Sequence, residues 1–381
     1  MLTASVGQQQ IMGAAFCVGD KNGTLYEGAV GKSAENGVSM SGDSVVRIYS
    51  MTKAVTGVAA MQLVEQGRLD LDAPAGDVCP YLGEIEVFMG FDTDGRPQMR
   101  PPSSPVTLRN LLTHSSGFVY DIWNDEFAEY AKVMGVPSIA AGQKASLTVP
   151  LMFDPGSRWE YGIGIDWVGQ MVECVSGMSL GEYLEAHVTG PLGMRNTAFR
   201  LSEEMQTSLA SMHHRQEDQS LAAAEDDGDD ISSQPEFELG GGGLFSTAND
   251  YIRFVQMLLR GGELDGQRIL QSRTIDLMAQ NHIGDLRVNE LVSNLPSLSN
   301  NAELFPGEPK SWGLTFQINE SNCATGRSAG TLMWAGLSNC YFWVDRVNEV
   351  GGVFVTQIFP FADHLSLELF YNLEKAVYQS L

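Results

Sequence analysis

The chain has 381 residues, of which 43% are hydrophobic and 18% are charged, a composition typical of a globular protein with a substantial core. Its 47 acidic and 23 basic residues give a net charge of −24, which argues against nucleic acid and anionic membrane surfaces as partners. It shows neither a signal peptide nor an apolar run of 18 residues, and its five scattered cysteines lack metal-ligand spacing. We therefore expect a cytoplasmic protein with reduced thiols and no metal site.

The N-terminal part of the sequence predicts a hairpin followed by a buried helix. Residues 13–19 and 24–31 are strand-like, and the Asp-Lys-Asn-Gly sequence at 20–23 is typical of a hairpin turn. Residues 50–66 are apolar on almost every side, which predicts a helix surrounded by other structure. Gly67 is expected to end this helix.

Ser50 and Lys53 form an S-x-x-K motif at the start of the buried helix, one turn apart on the same face. The free backbone N–H groups of a helix start favour developing negative charge, and an amine one turn away can help to activate a hydroxyl. Ser50 is therefore a candidate nucleophile. The alternative is a helix cap followed by an ordinary lysine, because this short motif often occurs by chance.

The middle of the chain, residues 76–240, is more irregular and holds most of the remaining helical patterns. Residues 90–96 predict a surface hairpin. Residues 213–239 are acidic and predict a solvated loop; a metal site is disfavoured because the glycine and glutamate of a calcium loop are missing. The glycine run 240–243 lacks the Gly-Lys-Ser/Thr of a phosphate loop, so we expect it to let the backbone pass close to other structure.

Patterns at the two ends of the chain predict one shared domain. An amphipathic helix begins at Ser246, and a last helix covers residues 369–377. Short β-rich runs typical of antiparallel strands lie at 312–319, 331–334, 340–345 and 352–359. We predict that residues 1–75 and 241–381 form an α/β (α+β) domain, an antiparallel sheet flanked by helices, with a helical domain of residues 76–240 inserted into it.

Two further stretches supply the parts that a nucleophile at Ser50 needs, a proton shuttle and a second oxyanion donor. Tyr161 lies in a glycine-rich turn just before a helix, where a phenol can point into a cleft. The strand within residues 330–337 ends in small residues, so its backbone can approach a ligand closely.

Two other residues compete for a catalytic role. Residues 177–181 fit the G-x-S-x-G pattern of a nucleophile elbow, which requires a strand before the serine. A helical pattern precedes Ser179, so we interpret it as a helix cap paired with Glu182. His114 ends a short helix with no acid nearby and is interpreted as a hydrogen-bonded structural residue, with a direct catalytic role as the alternative.

Taken in order, three motifs resemble those of the serine β-lactamase and penicillin-binding protein superfamily. The S-x-x-K position falls on Ser50 and Lys53, the Y-x-N-like position on Tyr161 and Ile163, and the K-T-G-like position on residues 334–336. The resemblance covers nearly the whole chain. It is closer to class C β-lactamases and family VIII carboxylesterases, and two short stretches are also similar to lovastatin-type acyltransferases.

This resemblance implies a β-lactamase-like fold, a site in the cleft between the two domains, and no metal or cofactor. It also implies an oxyanion hole made by the backbone N–H groups of Ser50 and Leu337, with Trp334 and Gly336 against the substrate. Two residues depart from the β-lactamase pattern. Ile163 stands where β-lactamases carry asparagine, and Trp334 stands where they carry lysine or histidine, as in the esterase branch.

The sequence therefore predicts a serine carboxylesterase that hydrolyses short to medium acyl esters through an acyl-enzyme on Ser50. The general base is Tyr161, held near phenolate character by Lys53, or Lys53 itself. The alternatives are an acyltransferase using the same acyl-enzyme, a β-lactamase or D,D-peptidase, and a non-catalytic binding protein. The expected partner is a small-molecule ester, and the sequence makes no prediction of oligomeric state.

Overall fold

The structure is a computed structural model that describes residues 1–7, 11–34, 37–224 and 235–381. Its α-helices are α1 (Leu2–Gly7), α2 (Thr52–Glu65), α3 (Leu108–Leu112), α4 (Asp125–Met134), α5 (Gly164–Ser176), α6 (Leu180–Leu184), α7 (Glu203–Thr207), α8 (Ala248–Leu259), α9 (Ser272–Met278) and α10 (His364–Ser380). Its strands are β1 (Gly13–Asp20), β2 (Thr24–Gly31), β3 (Val46–Arg47), β4 (Val87–Phe91), β5 (Pro97–Arg100), β6 (His213–Arg215), β7 (Leu221–Ala223), β8 (Phe245–Ser246), β9 (Glu263–Leu264), β10 (Gln267–Arg268), β11 (Lys310–Trp312), β12 (Gln317–Asn319), β13 (Leu332–Gly336), β14 (Cys340–Asp345), β15 (Val350–Val355) and β16 (Ile358–Phe359).

A seven-stranded antiparallel sheet joins the two ends of the chain, in the order β11-β12-β13-β14-β15-β1-β2. Helices cover both of its faces. The ring of Tyr341 in β14 stacks on Phe370 of α10 at 4.7 Å, and the ring of the next residue, Phe342, lies 5.1 Å from Tyr251 of α8. Successive strand residues point to opposite faces, so α8 and α10 lie on opposite sides. The predicted antiparallel sheet flanked by helices is confirmed.

Helix α2 runs through the core, as its apolar composition predicts. Residues 52–63 are all buried, and the helix packs against α5 and α6. Gly67, just after the helix, has a φ of 68°, a left-handed conformation that glycine adopts without strain. Ser50 belongs to the 3₁₀ turn Tyr49–Met51 directly before the helix, which keeps its side chain close to that of Lys53.

The predicted single strand at 312–319 is wrong, because this segment is a hairpin of β11 and β12. The Gly313 N–H donates a hydrogen bond to the Phe316 carbonyl at 2.8 Å and closes the turn. A Cβ atom on Gly313 would lie 2.2 Å from the carbonyl oxygen of Met278, so the turn presses against the end of α9. This contact is tertiary, and the apolar run of the sequence gives no sign of it.

The predicted solvated loop over 213–239 is wrong in its first part. Strands β6 and β7 form a hairpin there, and β6 pairs in parallel with β16. The Arg215 guanidinium donates hydrogen bonds of 2.9 and 2.8 Å to the two carboxylate oxygens of Asp363, and both side chains are buried. This pair joins the hairpin to the start of α10, where Asp363 is the N-cap. The acidic residues 225–230 lie outside the described residues.

Helices α3 to α7 lie in the chain between the two halves of the sheet, and the hairpin predicted at 90–96 is present as β4 and β5. Buried apolar side chains form one core cluster that continues across both parts. The division into a domain of residues 1–75 and 241–381 and an inserted domain of residues 76–240 stays a prediction. Within the described ranges, no helix is both long and apolar enough to cross a membrane.

Candidate active site

A turn of unusual backbone geometry presents Ser50. Strand β3 pairs with β8 and leads directly into this turn. Tyr49 has a φ of 42°, a conformation that is rare for a residue with a large side chain and is enriched at functional sites. The turn places Ser50 on the wall of a cavity of about 400 Å³.

Lys53 connects Ser50 to three parts of the chain. Its buried Nζ donates hydrogen bonds to Ser50 Oγ at 3.0 Å, to the Tyr120 hydroxyl at 2.9 Å and to the Gly241 carbonyl at 2.6 Å. Burial lowers the pKa of Lys53 to about 7, although the negative charge of Asp166 raises it. Burial thus makes Lys53 easier to deprotonate, and in the neutral amine the hydrogen bond with Ser50 reverses, so that the Ser50 hydroxyl donates to the Lys53 lone pair.

Tyr161 lies beside this pair. Its hydroxyl accepts a hydrogen bond of 2.9 Å from Trp334 Nε1, and its ring centroid lies 4.7 Å from Lys53 Nζ. Burial raises the pKa of Tyr161, and the hydrogen bonds with Ser50 and Trp334 only partly oppose this. The expected phenolate character of Tyr161 is therefore disfavoured, because a buried phenol without a strong cationic partner stays protonated. Of the two bases left open by the sequence, the geometry favours Lys53.

The end of β13 approaches the turn that carries Ser50. A Cβ atom on Gly336 would lie 2.2 Å from the Ile48 carbonyl oxygen, so only glycine allows this approach. The Ser338 hydroxyl also donates to the Arg47 carbonyl at 2.9 Å. The residue between them, Leu337, lines the cavity with Ser50. The two residues thus lie on one cavity, and the oxyanion hole made by their N–H groups stays a prediction.

Trp334 takes a different place from the one expected. Among the described residues that line the cavity, neither Trp334 nor Ile163 is present. Trp334 is buried behind Tyr161 and holds its hydroxyl, while Ile163 is the buried residue that precedes α5. Trp334 thus supports Tyr161, and the apolar side chains that line the cavity come from other residues. These include Ile122, Trp123, Ile139, Leu239 and Leu298.

The sequence alone does not identify three residues that bond to Lys53 or act on it through their own charge. Tyr120 belongs to no recognisable motif, and its ring centroid lies 5.3 Å from that of Tyr161. Asp166 is a fully buried acid in the first turn of α5, and an acid within this apolar helical pattern was the available signal. The third residue, Gly241, links Asp166 to Lys53. Its N–H donates to Asp166 Oδ1 at 2.9 Å, and its carbonyl accepts from Lys53. The expectation that the glycine run allows close backbone approach holds at this position.

The two competing residues have structural roles. The Ser179 hydroxyl caps α6 by accepting from the Glu182 N–H at 3.2 Å, and the Glu182 carboxylate accepts from the Ser179 N–H at 2.9 Å, so the predicted capping box is confirmed. His114 is buried, and its Nδ1 accepts from the Gly162 N–H at 3.3 Å. Burial lowers the pKa of His114, so the imidazole is neutral. Its hydrogen bond with Gly162 stabilises the turn that carries Tyr161.

Comparisons with known proteins agree with this geometry. The Beta-lactamase family model matches residues 1–374. The chain is 29% identical to lovastatin esterase of Penicillium rubens, covering 99% of this chain and 96% of that protein, and 28% identical to monacolin J acid methylbutanoyltransferase of Aspergillus terreus, covering 98% and 93%. A mutant of simvastatin synthase from Aspergillus terreus superposes with a TM-score of 0.86 at 28% identity, covering 100% of this chain and 93% of that chain. EstCE1, a hydrolase with promiscuous acyltransferase activity, shares the fold with a TM-score of 0.79 at 23% identity, covering 98% and 96%. The predicted superfamily and the β-lactamase-like fold are confirmed.

Proposed function

Because this chain belongs to the β-lactamase family and is a serine enzyme of that fold, we propose that it is an acyltransferase. It moves a short acyl group from an ester donor, through an acyl-enzyme on Ser50, to the hydroxyl of a second small molecule. Water is the competing acceptor, so ester hydrolysis is its side reaction. The plain esterase that the sequence favoured thus gives way to the alternative, which the relatives support better.

In the acylation step, the neutral Lys53 amine takes the proton of Ser50 as its oxygen attacks the ester carbonyl. The N–H groups of Ser50 and Leu337 hold the negative charge of the tetrahedral intermediate, and losing one such donor costs roughly 3–4 kcal/mol. When the intermediate collapses, the bond to the donor's alcohol breaks. The Tyr161 hydroxyl, next to Ser50, passes a proton to this leaving oxygen. To restore the phenol, the proposal requires the Lys53 ammonium, now 4.7 Å from the centroid of the Tyr161 ring, to move to the Tyr161 hydroxyl and return the proton.

In the transfer step, the acceptor hydroxyl attacks the acyl-enzyme and the same groups act in reverse. The observation that carries this proposal is the cavity over Ser50. Its volume of about 400 Å³ is within the range of small-molecule sites, so it has room for an acceptor beside a short acyl group. Its apolar side chains favour uncharged acyl groups and apolar acceptors. The relatives are named as a methylbutanoyltransferase and as an esterase, which is consistent with two acceptors, a second alcohol and water.

Added alcohol is expected to divert the acyl group from water. With p-nitrophenyl butyrate as donor, increasing 1-butanol should produce butyl butyrate at the expense of butyrate, because both acceptors compete for one acyl-enzyme. Nitrophenol release measures acylation, and gas chromatography of the two products measures the partition. A partition that stays entirely with water at every alcohol concentration would identify a plain esterase.

A chromogenic cephalosporin on the same preparation separates this proposal from a β-lactamase. The carboxylate of such a substrate needs a cation at its own place in the site, because leaving it against apolar side chains costs several kcal/mol. Arg47 and Arg200 line the cavity, but neither stands at the K-T-G-like position. Trp334 stands where the superfamily pattern has a cation, and it is bound to Tyr161. We expect kcat/KM for the cephalosporin to be far below that for the ester. An equal or higher value would move the chain among the β-lactamases.

A further inference from the structure

Asp166 has no part in the steps above, yet it is a buried acid beside the catalytic groups. Only 1% of its surface is exposed. Its Oδ1 accepts one hydrogen bond, from the Gly241 N–H, and its Oδ2 has no hydrogen-bond partner in the described part of the chain. A buried carboxylate with an unsatisfied oxygen is costly, so a nearby positive charge is needed to offset it.

The Lys53 ammonium supplies that charge, and a shared neighbour, Gly241, links the two side chains. Its Nζ donates to the Gly241 carbonyl at 2.6 Å, so one residue is bonded to both the amine and the carboxylate. Gly241 is the residue that this contact demands, since a Cβ atom there would lie 2.4 Å from Asp166 Oδ2. The effect is mutual: burial raises the pKa of Asp166 to about 6, while the charge of Lys53 lowers it.

We propose that Asp166 is a positioning residue for Lys53, which holds the lysine amine through Gly241 and stabilises the ammonium that forms when Ser50 gives up its proton. This inference rests on the proposed role of Lys53 as proton acceptor. The proton moves from Ser50 Oγ to Lys53 Nζ and goes no further toward Asp166, which contributes only its negative charge. An aspartate beside the histidine of a serine-protease triad acts on its base in the same way.

The other titratable groups around Lys53 carry no compensating charge at neutral pH. Burial raises the pKa of Tyr120 and of Tyr161, so both phenols stay protonated. Burial lowers the pKa of His114, which stays neutral. Asp166 is the anion that acts on Lys53 within the described residues. Its removal should therefore change the protonation of Lys53 directly.

Asp166→Asn is the variant that tests this role, because the amide keeps the volume of the side chain and an oxygen for the Gly241 N–H while it removes the charge. In the wild type, kcat/KM for p-nitrophenyl butyrate should rise with pH through about 7, as Lys53 loses its proton. Without the carboxylate the ammonium is less stable, so the pKa of Lys53 falls and this rise moves to lower pH, by about one to three units. The plateau of kcat should fall, since a weaker base takes the proton less readily. Asp166 also lines the cavity, so the deciding readout is the shift of the pH profile, which a change in substrate fit alone does not produce.

Two further variants make the result specific. Glu173→Gln changes another partly buried acid of α5 and should leave the pH profile in place. Gly241→Ala keeps the Asp166 charge but displaces the carboxylate, so it should lower kcat with a smaller movement of the profile.

An Asp166→Asn profile that superposes on the wild type overturns the inference, as does an equal shift in Glu173→Gln. If Asp166→Asn does not fold, an unchanged kcat in Gly241→Ala overturns it instead. A wild-type profile without the rise near pH 7 would instead contradict the proposed role of Lys53 itself.

Discussion

Ser50→Ala is expected to lose both ester hydrolysis and acyl transfer, by roughly 10⁴-fold or more, because among the described residues Ser50 carries the serine hydroxyl that is bonded to Lys53. The fold should be unaffected, since one small side chain on the cavity wall is shortened. Nitrophenol release from p-nitrophenyl butyrate measures the activity, and thermal denaturation measures the stability.

Ser179→Ala is the matched control, because Ser179 was the competing nucleophile in the sequence. Its hydroxyl caps α6, so the variant should lose about 1 kcal/mol of stability and keep nearly full turnover. The opposite pattern, an inactive Ser179→Ala and an active Ser50→Ala, would reverse the assignment of the nucleophile.

Lys53→Met and Tyr161→Phe should each lower kcat by roughly 10³-fold, and the double variant should be little worse than either one. The reason is that the two side chains serve one proton transfer: Lys53 takes the Ser50 proton, and the Tyr161 hydroxyl returns a proton to the leaving group. Methionine keeps most of the buried volume of lysine but leaves the Gly241 carbonyl and the Tyr120 hydroxyl without their donor.

The measurement is a double-mutant cycle in kcat, with the melting temperature of each variant recorded to separate lost stability from lost chemistry. Losses that multiply across the cycle would show that Lys53 and Tyr161 act independently. Full activity in Tyr161→Phe would remove the phenol from the mechanism.

Local sequence rules found the parts of the site that lie close together in the chain. Ser50 and Lys53 are three residues apart on one turn, so helical spacing alone placed them together. The burial of α2 followed from its apolar composition. The glycine-rich turn made Tyr161 a candidate, but the superfamily resemblance was needed to pair it with Ser50, because the two residues lie far apart along the chain.

The rest of the site depends on tertiary contacts that no local pattern encodes. The Lys53 and Gly241 hydrogen bond spans 188 residues of sequence, and the Lys53 and Tyr120 hydrogen bond spans 67. The superfamily resemblance placed Trp334 against the substrate, but strand residues alternate in direction, and its indole points to Tyr161. The hairpin of β11 and β12 was missed for a similar reason, since its turn is set by contact with α9.

The choice between hydrolysis and transfer could not come from the catalytic residues, because both reactions share the acyl-enzyme and the same base. They differ in what occupies the cavity when the acyl group leaves. The sequence shows Ser50 and Lys53, while the cavity is lined by residues from several separate segments, from Arg47 to Leu337. Its size and apolar lining became visible only in the folded chain.

Intact-protein mass spectrometry tests the central claim, an acyl-enzyme on Ser50 that passes its acyl group to an alcohol. The protein is mixed with p-nitrophenyl butyrate and quenched in acid within the first turnovers. We predict a mass increase of one butyryl group in the wild type, localised to the peptide carrying Ser50, absent in Ser50→Ala, and depleted by 1-butanol as butyl butyrate appears. Turnover without any adduct in the wild type, or an adduct that persists in Ser50→Ala, would contradict it.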